Sequence, residues 1–258
     1  MKNLCFLLGE FLCYQWKAQS KYYLHSPFVF QFQQHVLEGE FPPSLQPLHE
    51  WRSSLSKNHQ QIHVEDFGTR RSSLRTIASI EKQVAVREKY GCLLHRMVLY
   101  LKPRVILEIG GSIGISAAYM ALAKPDATLY SLEGSASLSG LAKKHHASLG
   151  LKNIQYIIGN FEHTLPQVLQ SSGETGLIFF DGNHTGEATL RYFHLCLEKS
   201  NENSVFIFDD IYLHPGMKTA WETIRAHPQI TLSIDLFQFG ICFFRKDRAQ
   251  KEHFVLRY

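Results

Sequence analysis

The stretch that decides the fold is VILEIGGSIGIS, residues 105–116. It starts as an apolar run, passes through a turn that contains three glycines, and ends where a helical pattern starts. Glycine permits a tight turn and lets a ligand approach the backbone closely. The helix start offers N–H groups to a pyrophosphate, or to the carboxylate of an amino-acid-like ligand. The stretch therefore predicts a nucleotide-type site, and the alternative is a plain strand–helix turn.

Two acidic residues narrow the type of ligand. Glu108 ends the first strand, and Glu133 ends the next predicted strand. Glu133 follows the glycines by about twenty residues, the spacing typical of an acid that binds both ribose hydroxyls. The spacing E-x-G-x-x-x-G favours S-adenosylmethionine over the dinucleotide pattern G-x-G-x-x-G, with NAD as the alternative. The expected cofactor-binding residues here are Glu108, Gly110, Gly111, Ser112, Gly114, Ile115, Glu133 and Gly134.

Beyond residue 104, short apolar runs alternate with helical patterns. The runs cover residues 105–109, 127–132, 154–158, 177–180, 205–208, 231–237 and 241–244. Continuous apolar runs indicate strands that are covered on both faces, and strand–helix alternation indicates parallel βαβ units. Only three residues join the last two runs, too few for a crossover helix, so these strands are expected to be antiparallel. We predict a doubly wound, Rossmann-like α/β fold with a seven-stranded, mostly parallel sheet and an antiparallel terminal hairpin.

The first 80 residues lack this alternation. Aromatic-rich helical patterns cover residues 4–18 and 27–38, and a longer helix is predicted over residues 74–100. We divide the chain into an N-terminal helical extension, residues 1–80, and an α/β domain, residues 81–258. The aromatic helices could pack against a partner subunit, so a homodimer is one expected assembly.

The composition is that of an ordinary globular protein, with 45% hydrophobic and 19% charged residues among 258. The net charge of +4 is weak and scattered, so no nucleic-acid partner is expected. Five cysteines without a C-x-x-C pair argue against a disulfide scaffold and a structural zinc site. They fit a reducing compartment, and no apolar run is long enough for a membrane span, so a cytoplasmic location is expected.

Further candidate residues follow the other predicted strands, where ligands bind in open α/β sheets. After the third strand, Asn160 is a candidate for hydrogen bonds to an adenine edge and Phe161 for stacking on its face. A core position is the alternative for Phe161. All of these cofactor contacts are hypotheses.

Three carboxylates follow the fourth and fifth strands: Asp181, Asp209 and Asp210. Such grouping is unfavourable unless a cation or a proton compensates, and oxygen ligands suit Mg²⁺ or another hard divalent cation. The alternative is that one Asp caps a helix and another binds the cofactor amino group. His184 follows Asp181 closely and is a candidate general base, although a chain with 14 histidines contains many bystanders.

These motifs resemble the class I S-adenosylmethionine-dependent methyltransferases, in particular their catechol-type, cation-dependent O-methyltransferase branch. The branch's first motif is similar to E-L-G-x-x-x-G-x-S, which Glu108, Ile109, Gly110, Gly114 and Ser116 match. Its D-A-D-K segment corresponds to the DGNH segment, residues 181–184, and its D-N segment corresponds to Asp209-Asp210. Uncharacterised bacterial relatives carry D-G-N-H and D-D-I-Y segments. His184 stands where the branch has Lys, and Asp210 replaces an amide.

The resemblance covers roughly residues 80–258 and implies methyl transfer to the oxygen of a small hydroxylated substrate. It implies catalytic roles for Asp181, His184 and Asp209, and a divalent-cation site at Asp181, Asp209 and Asp210. Asp181 would also touch the cofactor. Two competing interpretations are an NAD-type oxidoreductase and a non-catalytic nucleotide-binding protein on the same fold.

By analogy, the N-terminal part is expected to cap the active site. The segments HSPF, residues 25–28, and DFGTRR, residues 66–71, are the candidates for closing the pocket. Arg70, Arg71 and Arg75 would favour an anionic substrate, and the alternative is a solvated helix start.

Overall fold

The computed structural model describes residues 2–20, 24–66, 71–83, 85–247 and 250–258. It divides into two compact units. The first unit comprises Met1–Gln33 with Ser172–Tyr258, and the second comprises Gln34–Ser171. The domain boundary expected at residue 80 rests on a change in the sequence pattern, and it stays a prediction.

Helices and strands alternate through most of the described chain. The helices are α1 (Lys2–Lys17), α2 (Pro27–Phe32), α3 (Gln46–Leu55), α4 (Ile77–Gln83), α5 (Glu88–Leu101), α6 (Ile115–Ala123), α7 (Ala136–Ser148), α8 (Phe161–Ser171), α9 (Gly186–Leu197) and α10 (Pro215–Ala226). The strands are β1 (Gln61–Asp66), β2 (Arg71–Thr76), β3 (Val105–Ile109), β4 (Thr128–Glu133), β5 (Ile154–Ile158), β6 (Leu177–Phe180), β7 (Val205–Phe208), β8 (Leu232–Asp235), β9 (Gly240–Phe243) and β10 (Glu252–Val255). None of the described helices is long and apolar enough to cross a membrane.

In the second unit, β3, β4 and β5 form a parallel set in that order. Their register aligns Ile109 with Leu132, and Leu132 with Ile157, so the three strands end at one edge. Helix α6 is rich in alanine and buried over most of its length, which allows it to pack closely. The strand ends that carry the glycine turn and Glu133 are therefore adjacent.

In the first unit, the strand order is β6-β7-β9-β8-β10. Strands β6 and β7 are parallel, β9 is antiparallel to both β7 and β8, and β10 is parallel to β8. Every residue of β6 to β9 is buried, as their continuous apolar runs predicted. The register places Asp181 and Asp209 just beyond neighbouring strand ends.

The predicted α/β class, with mostly parallel strands and an antiparallel hairpin of β8 and β9, is confirmed. The strand count is wrong by one, because β10 brings the described α/β strands to eight. The sequence EHFV of this strand is short, polar at its start and incompletely buried, so it lacks the apolar run that marks its neighbours.

The long helix predicted over residues 74–100 is wrong. Residues up to Thr76 belong to β2, which pairs antiparallel with β1, and α4 ends at Gln83 before α5 begins at Glu88. The residue before α5, Arg87, has an extended backbone, which separates the two helices. Strands β1 and β2 are polar segments that pair with each other. The spacing of apolar residues, on which the helix prediction rested, gives no sign of such a pairing.

The two segments expected to close the pocket have different outcomes. Residues 67–70, which include Arg70, lie outside the described residues. Arg75 is described, and it donates a hydrogen bond to Gln83. In the other segment, Ser26 caps α2 and Phe28 packs against Phe243. Because Phe243 pairs with Val205 at the start of β7, Phe28 lies at the opposite strand end from Asp209. A closing role for residues 25–28 is therefore not supported.

Candidate active site

The turn after β3 has an unusual backbone. Gly110, Ser112 and Gly114 have φ values of 101°, 46° and 86°, which lie in the left-handed region. The N–H groups of Gly110 and Gly111 donate to the carbonyl of Leu132 at the end of β4. At Gly114, a Cβ atom would lie 2.5 Å from the His146 ring. Glycine is required there both by the positive φ and by the close approach of that ring.

Ser112, at the tip of this turn, has a side chain without a visible role in the fold. Its Oγ atom is buried and has no hydrogen-bond partner within the described structure. A buried hydroxyl without a partner is destabilising, and such groups are rare in native proteins. A polar group of a bound molecule would satisfy it, so the turn fits the predicted cofactor.

Glu133 ties this turn to the next one. Its Oε2 accepts from the Ser112 N–H at 2.7 Å, and its Oε1 accepts from the Ser135 N–H at 2.8 Å. A carboxylate has about four acceptor positions, which is the acceptor capacity that an acid binding two ribose hydroxyls needs. Gly134 lies between Glu133 and Ser135, the two residues joined by the second of these hydrogen bonds. The ribose-binding role of Glu133 stays a prediction that this geometry allows.

Glu108 lies beneath the turn and is fully buried. Its two oxygens accept from Ser116 Oγ at 2.6 Å and Ser131 Oγ at 2.5 Å. Burial raises the pKa of Glu108 to about 7 despite these two hydrogen bonds. Its carboxyl oxygen lies 3.1 Å from where a Gly111 Cβ would stand, so Glu108 supports the turn from below. Ile115, likewise buried, begins α6 just after the turn.

His146 contacts this turn, although the sequence did not indicate a role for it. Its Nε2 lies 2.7 Å from the Gly114 carbonyl oxygen, and its Nδ1 lies 2.7 Å from the Tyr156 hydroxyl. Burial lowers the pKa of His146 to about 4, so the ring is neutral near pH 7. A neutral ring has one proton, so Nε2 donates to the carbonyl while Nδ1 accepts from Tyr156. The only sequence signal was a histidine in a helical pattern, 32 residues from Gly114.

Asn160 and Phe161 follow β5. The Asn160 Oδ1 accepts from the Glu162 N–H, and its carbonyl accepts from two N–H groups of α8, so Asn160 begins that helix. Phe161 is only half-buried and is not among the buried core side chains, which argues against the core alternative. Adenine binding by these two residues stays a prediction.

In the other unit, the three aspartates and His184 do come together. His184 Nε2 lies 3.6 Å from Asp181, and its Nδ1 lies 3.8 Å from Asp210. Asp209 is buried, and a hydrogen bond links it to Asp181. Burial, together with the neighbouring charge of Asp210, raises the pKa of Asp209 to about 7. We call these four residues the acidic cluster.

Gln238, from the turn between β8 and β9, completes the acidic cluster's surroundings. Its Nε2 donates to the Oδ1 atoms of Asp209 and Asp210, both at 2.6 Å. The sequence did not indicate this residue, since it lies 28 positions from Asp210 and has no motif of its own. A second unpredicted contact positions His184: the His214 ring lies 2.9 Å from its carbonyl oxygen and caps α10.

The acidic cluster does not fit the predicted metal site in this arrangement. Within the described residues, no group of three or more His, Cys, Asp or Glu side chains is placed to hold a metal ion. An amide N–H₂ and an imidazole point at the carboxylates where a cation would bind, and a proton is favoured on Asp209. These contacts occupy the carboxylate oxygens that a cation would need as ligands.

Comparison with known proteins identifies the fold. Residues 107–211 match the family model of a methyltransferase domain. The SAH-bound methyltransferase PaMTH1 of Podospora anserina is similar with a TM-score of 0.61 and 16% identity, over 86% of this chain and 97% of that one. The predicted resemblance to class I methyltransferases is confirmed. The doubly wound, Rossmann-like class is confirmed with it.

Two further solved structures share this methyltransferase fold. The O-methyltransferase from Bacillus cereus, in complex with SAH, has a TM-score of 0.57 and 19% identity, over 85% of this chain and 97% of that one. The O-methyltransferase TomG from Streptomyces achromogenes, in complex with SAM, has a TM-score of 0.56 and 18% identity, over 84% and 95%. A search of curated proteins finds no sequence match.

Proposed function

We propose that the chain is an S-adenosylmethionine-dependent methyltransferase that acts on an oxygen of a small hydroxylated molecule. The observation that carries the cofactor assignment is the partnerless Ser112 hydroxyl in a turn that is already bracketed by Glu133. The glycine turn would hold the amino-acid part of the cofactor, and Glu133 would hold the ribose. The family match and the SAM- or SAH-bound structures with this fold support the same assignment.

The cofactor supplies the methyl group and the sulfur leaving group, so this chain's own residues have to bind, orient and deprotonate. His184 is the proposed general base, with Asp181 3.6 Å from Nε2 and Asp210 3.8 Å from Nδ1. In its neutral form one ring nitrogen would point its N–H toward one of these carboxylates, and the other nitrogen would take the proton. The acceptor O–H gives its proton to His184 as the oxygen forms a bond to the methyl carbon. When bound, the cofactor would supply the methyl group from a sulfonium centre whose sulfur would leave as a neutral thioether. Asp209, which favours a proton, would donate a hydrogen bond to the acceptor or to Asp181.

We derive no step through a metal ion, because the Gln238 amide and the His184 ring already contact the carboxylates of the acidic cluster. Methyl transfer is therefore expected to survive a chelator and to gain less than about twofold from added Mg²⁺. A transfer rate that falls at least tenfold with chelator and returns with Mg²⁺ would contradict this. The measurement is a methyl-transfer assay on a panel of phenolic and aliphatic hydroxyl compounds.

Calorimetry with S-adenosylmethionine, S-adenosylhomocysteine and NAD tests the cofactor assignment directly. We expect binding of both sulfur nucleosides and none of NAD. Glu133→Ala should weaken binding at least tenfold, because two ribose hydrogen bonds to a charged group are lost. Glu133→Gln should be intermediate. Binding of NAD alone would favour the oxidoreductase, and cofactor binding without any transfer would favour the non-catalytic alternative.

Three further assignments belong to this proposal. The N-terminal extension, residues 1–80, would cap the acceptor site through segments other than residues 25–28. The chain would act in the cytoplasm, since all five cysteines are free thiols and two of them, Cys5 and Cys13, are exposed. The functional assembly would be a homodimer that binds no nucleic acid.

A further inference from the structure

We propose that α1 is the contact helix of a homodimer, pairing antiparallel with α1 of a second copy of this chain. The observation is a row of large apolar side chains on its exposed face. Leu4, Leu8, Leu12 and Trp16 are 61%, 55%, 68% and 87% exposed, although each is a residue type that is usually buried. We call these four residues the apolar row.

The opposite face of α1 is already held by its own unit. Lys218 Nζ donates to Glu10 at 2.8 Å, and the Tyr14 hydroxyl donates to the Leu256 carbonyl at 2.6 Å. The Phe11 ring packs edge-on against Phe237 at 5.1 Å. These contacts fix the rotation of the helix about its axis, so that the apolar row faces away from the described part of its own unit.

The exposed area suits a second copy. The apolar row presents roughly 500 Å² of apolar surface, against about 800 Å² that each partner contributes to a standard interface. A patch of this size lies within the range of the largest apolar patch on a typical monomer, and such patches are often functional. The neighbouring exposed side chain of Cys5 adds to the same surface.

The spacing of the apolar row is symmetric, which a two-fold contact requires. Its members are four residues apart, so an antiparallel partner centred on position 10 sets Leu8 against the partner's Leu12 and Leu4 against the partner's Trp16. Rows of i, i+4 side chains on two helices interdigitate when the helices cross at about 50°. A self-complementary surface of this kind needs no other partner.

Gly9 lies in the interior of α1, beside the apolar row. A Cβ atom there would meet nothing within 4 Å, so the fold itself does not require glycine. Glycine inside a helix costs about 1 kcal/mol relative to alanine. A second helix that approaches closely at this position would require it.

Charge argues against a lipid surface as the occupant. Helix α1 contains only three charged residues, Lys2, Glu10 and Lys17, and Glu10 is paired with Lys218. Helices that lie on membranes carry a band of basic residues that attracts anionic lipids. A helix with one lysine at each end lacks such a band.

Light scattering on the full chain tests the proposal. We expect twice the monomer mass of 29.7 kDa at micromolar concentration, and the monomer mass for Leu8→Glu/Leu12→Glu. Leu74→Glu is the matched control, because Leu74 is 67% exposed but lies on β2, and its mass should not change. Circular dichroism would verify that all three proteins are folded. A monomeric parent protein, or a dimer that the double variant leaves intact, would overturn the proposal.

Cross-linking tests the antiparallel arrangement. In a Cys5→Ser/Cys13→Ser background, Leu8→Cys/Leu12→Cys should form an oxidised dimer, since the two positions face each other across the axis. Leu4→Cys alone should not, because the two copies of residue 4 would be about 18 Å apart along the axis. Efficient cross-linking through Leu4→Cys would indicate a parallel pair and overturn this arrangement. A monomeric chain that co-sediments with vesicles of anionic lipid would overturn the dimer proposal. These outcomes are independent of methyl transfer.

Discussion

The proposed role of Ser112 is to serve a ligand at the expense of the fold. Its buried hydroxyl has no partner among the residues that the structure describes, and it lies next to a backbone N–H that Glu133 holds. In the unliganded chain this hydroxyl lowers stability, and with cofactor bound it would gain a hydrogen bond. The same residue therefore affects folding and binding in opposite directions.

Ser112→Ala is expected to separate these two effects. The unliganded variant should be more stable by about 1 kcal/mol, because a buried unsatisfied hydroxyl is removed. Its affinity for S-adenosylmethionine should fall about threefold to tenfold, for the loss of one hydrogen bond. Urea unfolding and calorimetry measure the two quantities.

Ser116→Ala is the control for this experiment. Ser116 donates to the buried Glu108 at 2.6 Å, so its removal should lower the stability of the unliganded chain. If Ser112→Ala also lowered stability and left affinity unchanged, its hydroxyl would have a structural partner and no ligand role.

At the scale of elements, α7 and β5 support the glycine turn from outside. His146 on α7 holds the Gly114 carbonyl, and Tyr156 on β5 holds the other ring nitrogen. Through this chain of two hydrogen bonds, a helix and a strand position the first residue before α6. His146 is thus a positioning residue, since it would act on the cofactor only through Gly114.

His146→Phe keeps a ring in the buried space but removes the hydrogen bond to Gly114. We expect affinity for S-adenosylmethionine to fall about fivefold to tenfold, the equivalent of roughly one hydrogen bond. His146→Gln should restore part of the loss, because its amide can donate where Nε2 did. Calorimetry gives the affinities, and urea unfolding gives the change in stability.

The variant His146→Gln distinguishes a positioning role of His146 from a role that only fills space. If His146→Gln bound cofactor as weakly as His146→Phe at equal stability, the hydrogen bond to Gly114 would have no positioning role. Tyr156→Phe should have a smaller effect than either, because it removes only the donor that sets the ring's proton position.

For the whole molecule, buried ionisable groups predict the pH dependence of stability. The pKa of Glu108 is raised to about 7, so the folded state binds a proton that the unfolded state has released between about pH 4.5 and 7. This stabilisation is complete below the unfolded pKa and is lost as the pH rises through the folded pKa. For Glu108 the loss amounts to about 3 kcal/mol.

Lowered histidine pKa values act in the opposite direction. Burial lowers the pKa of both His146 and His253 to about 4. Their contribution is present above the unfolded pKa and is lost as the pH falls through 4. The unfolding free energy should therefore fall on both sides of a maximum in the mildly acidic range.

Glu108→Gln should flatten the alkaline side of this profile. The variant should lose less stability than the parent protein between pH 5 and pH 8, by up to about 3 kcal/mol. Denaturant unfolding at several pH values measures this. Glu187→Gln is the control, since Glu187 is highly exposed and paired only with Arg191 in the described contacts. Parallel profiles for Glu108→Gln and the parent protein would contradict the raised pKa.

Local chemistry determined the parts of the fold and site that the sequence could predict. Apolar runs identified β3 to β9, because a strand buried on both faces needs apolar residues at consecutive positions. The glycine turn and Glu133 were found by their spacing, since neighbouring parallel strands end at one edge. The grouping of Asp181, His184, Asp209 and Asp210 followed from the same rule within one unit.

Contacts between distant, chemically ordinary residues were decided only in the tertiary structure. The strands β1, β2 and β10 are polar or short and form because a partner strand satisfies their backbone. Gln238 and His146 have no motif, yet the first donates hydrogen bonds to two aspartates and the second holds the Gly114 carbonyl of the glycine turn. Such roles depend on which atoms meet in space, and a hydrogen bond over 28 or 32 residues leaves no period in the sequence.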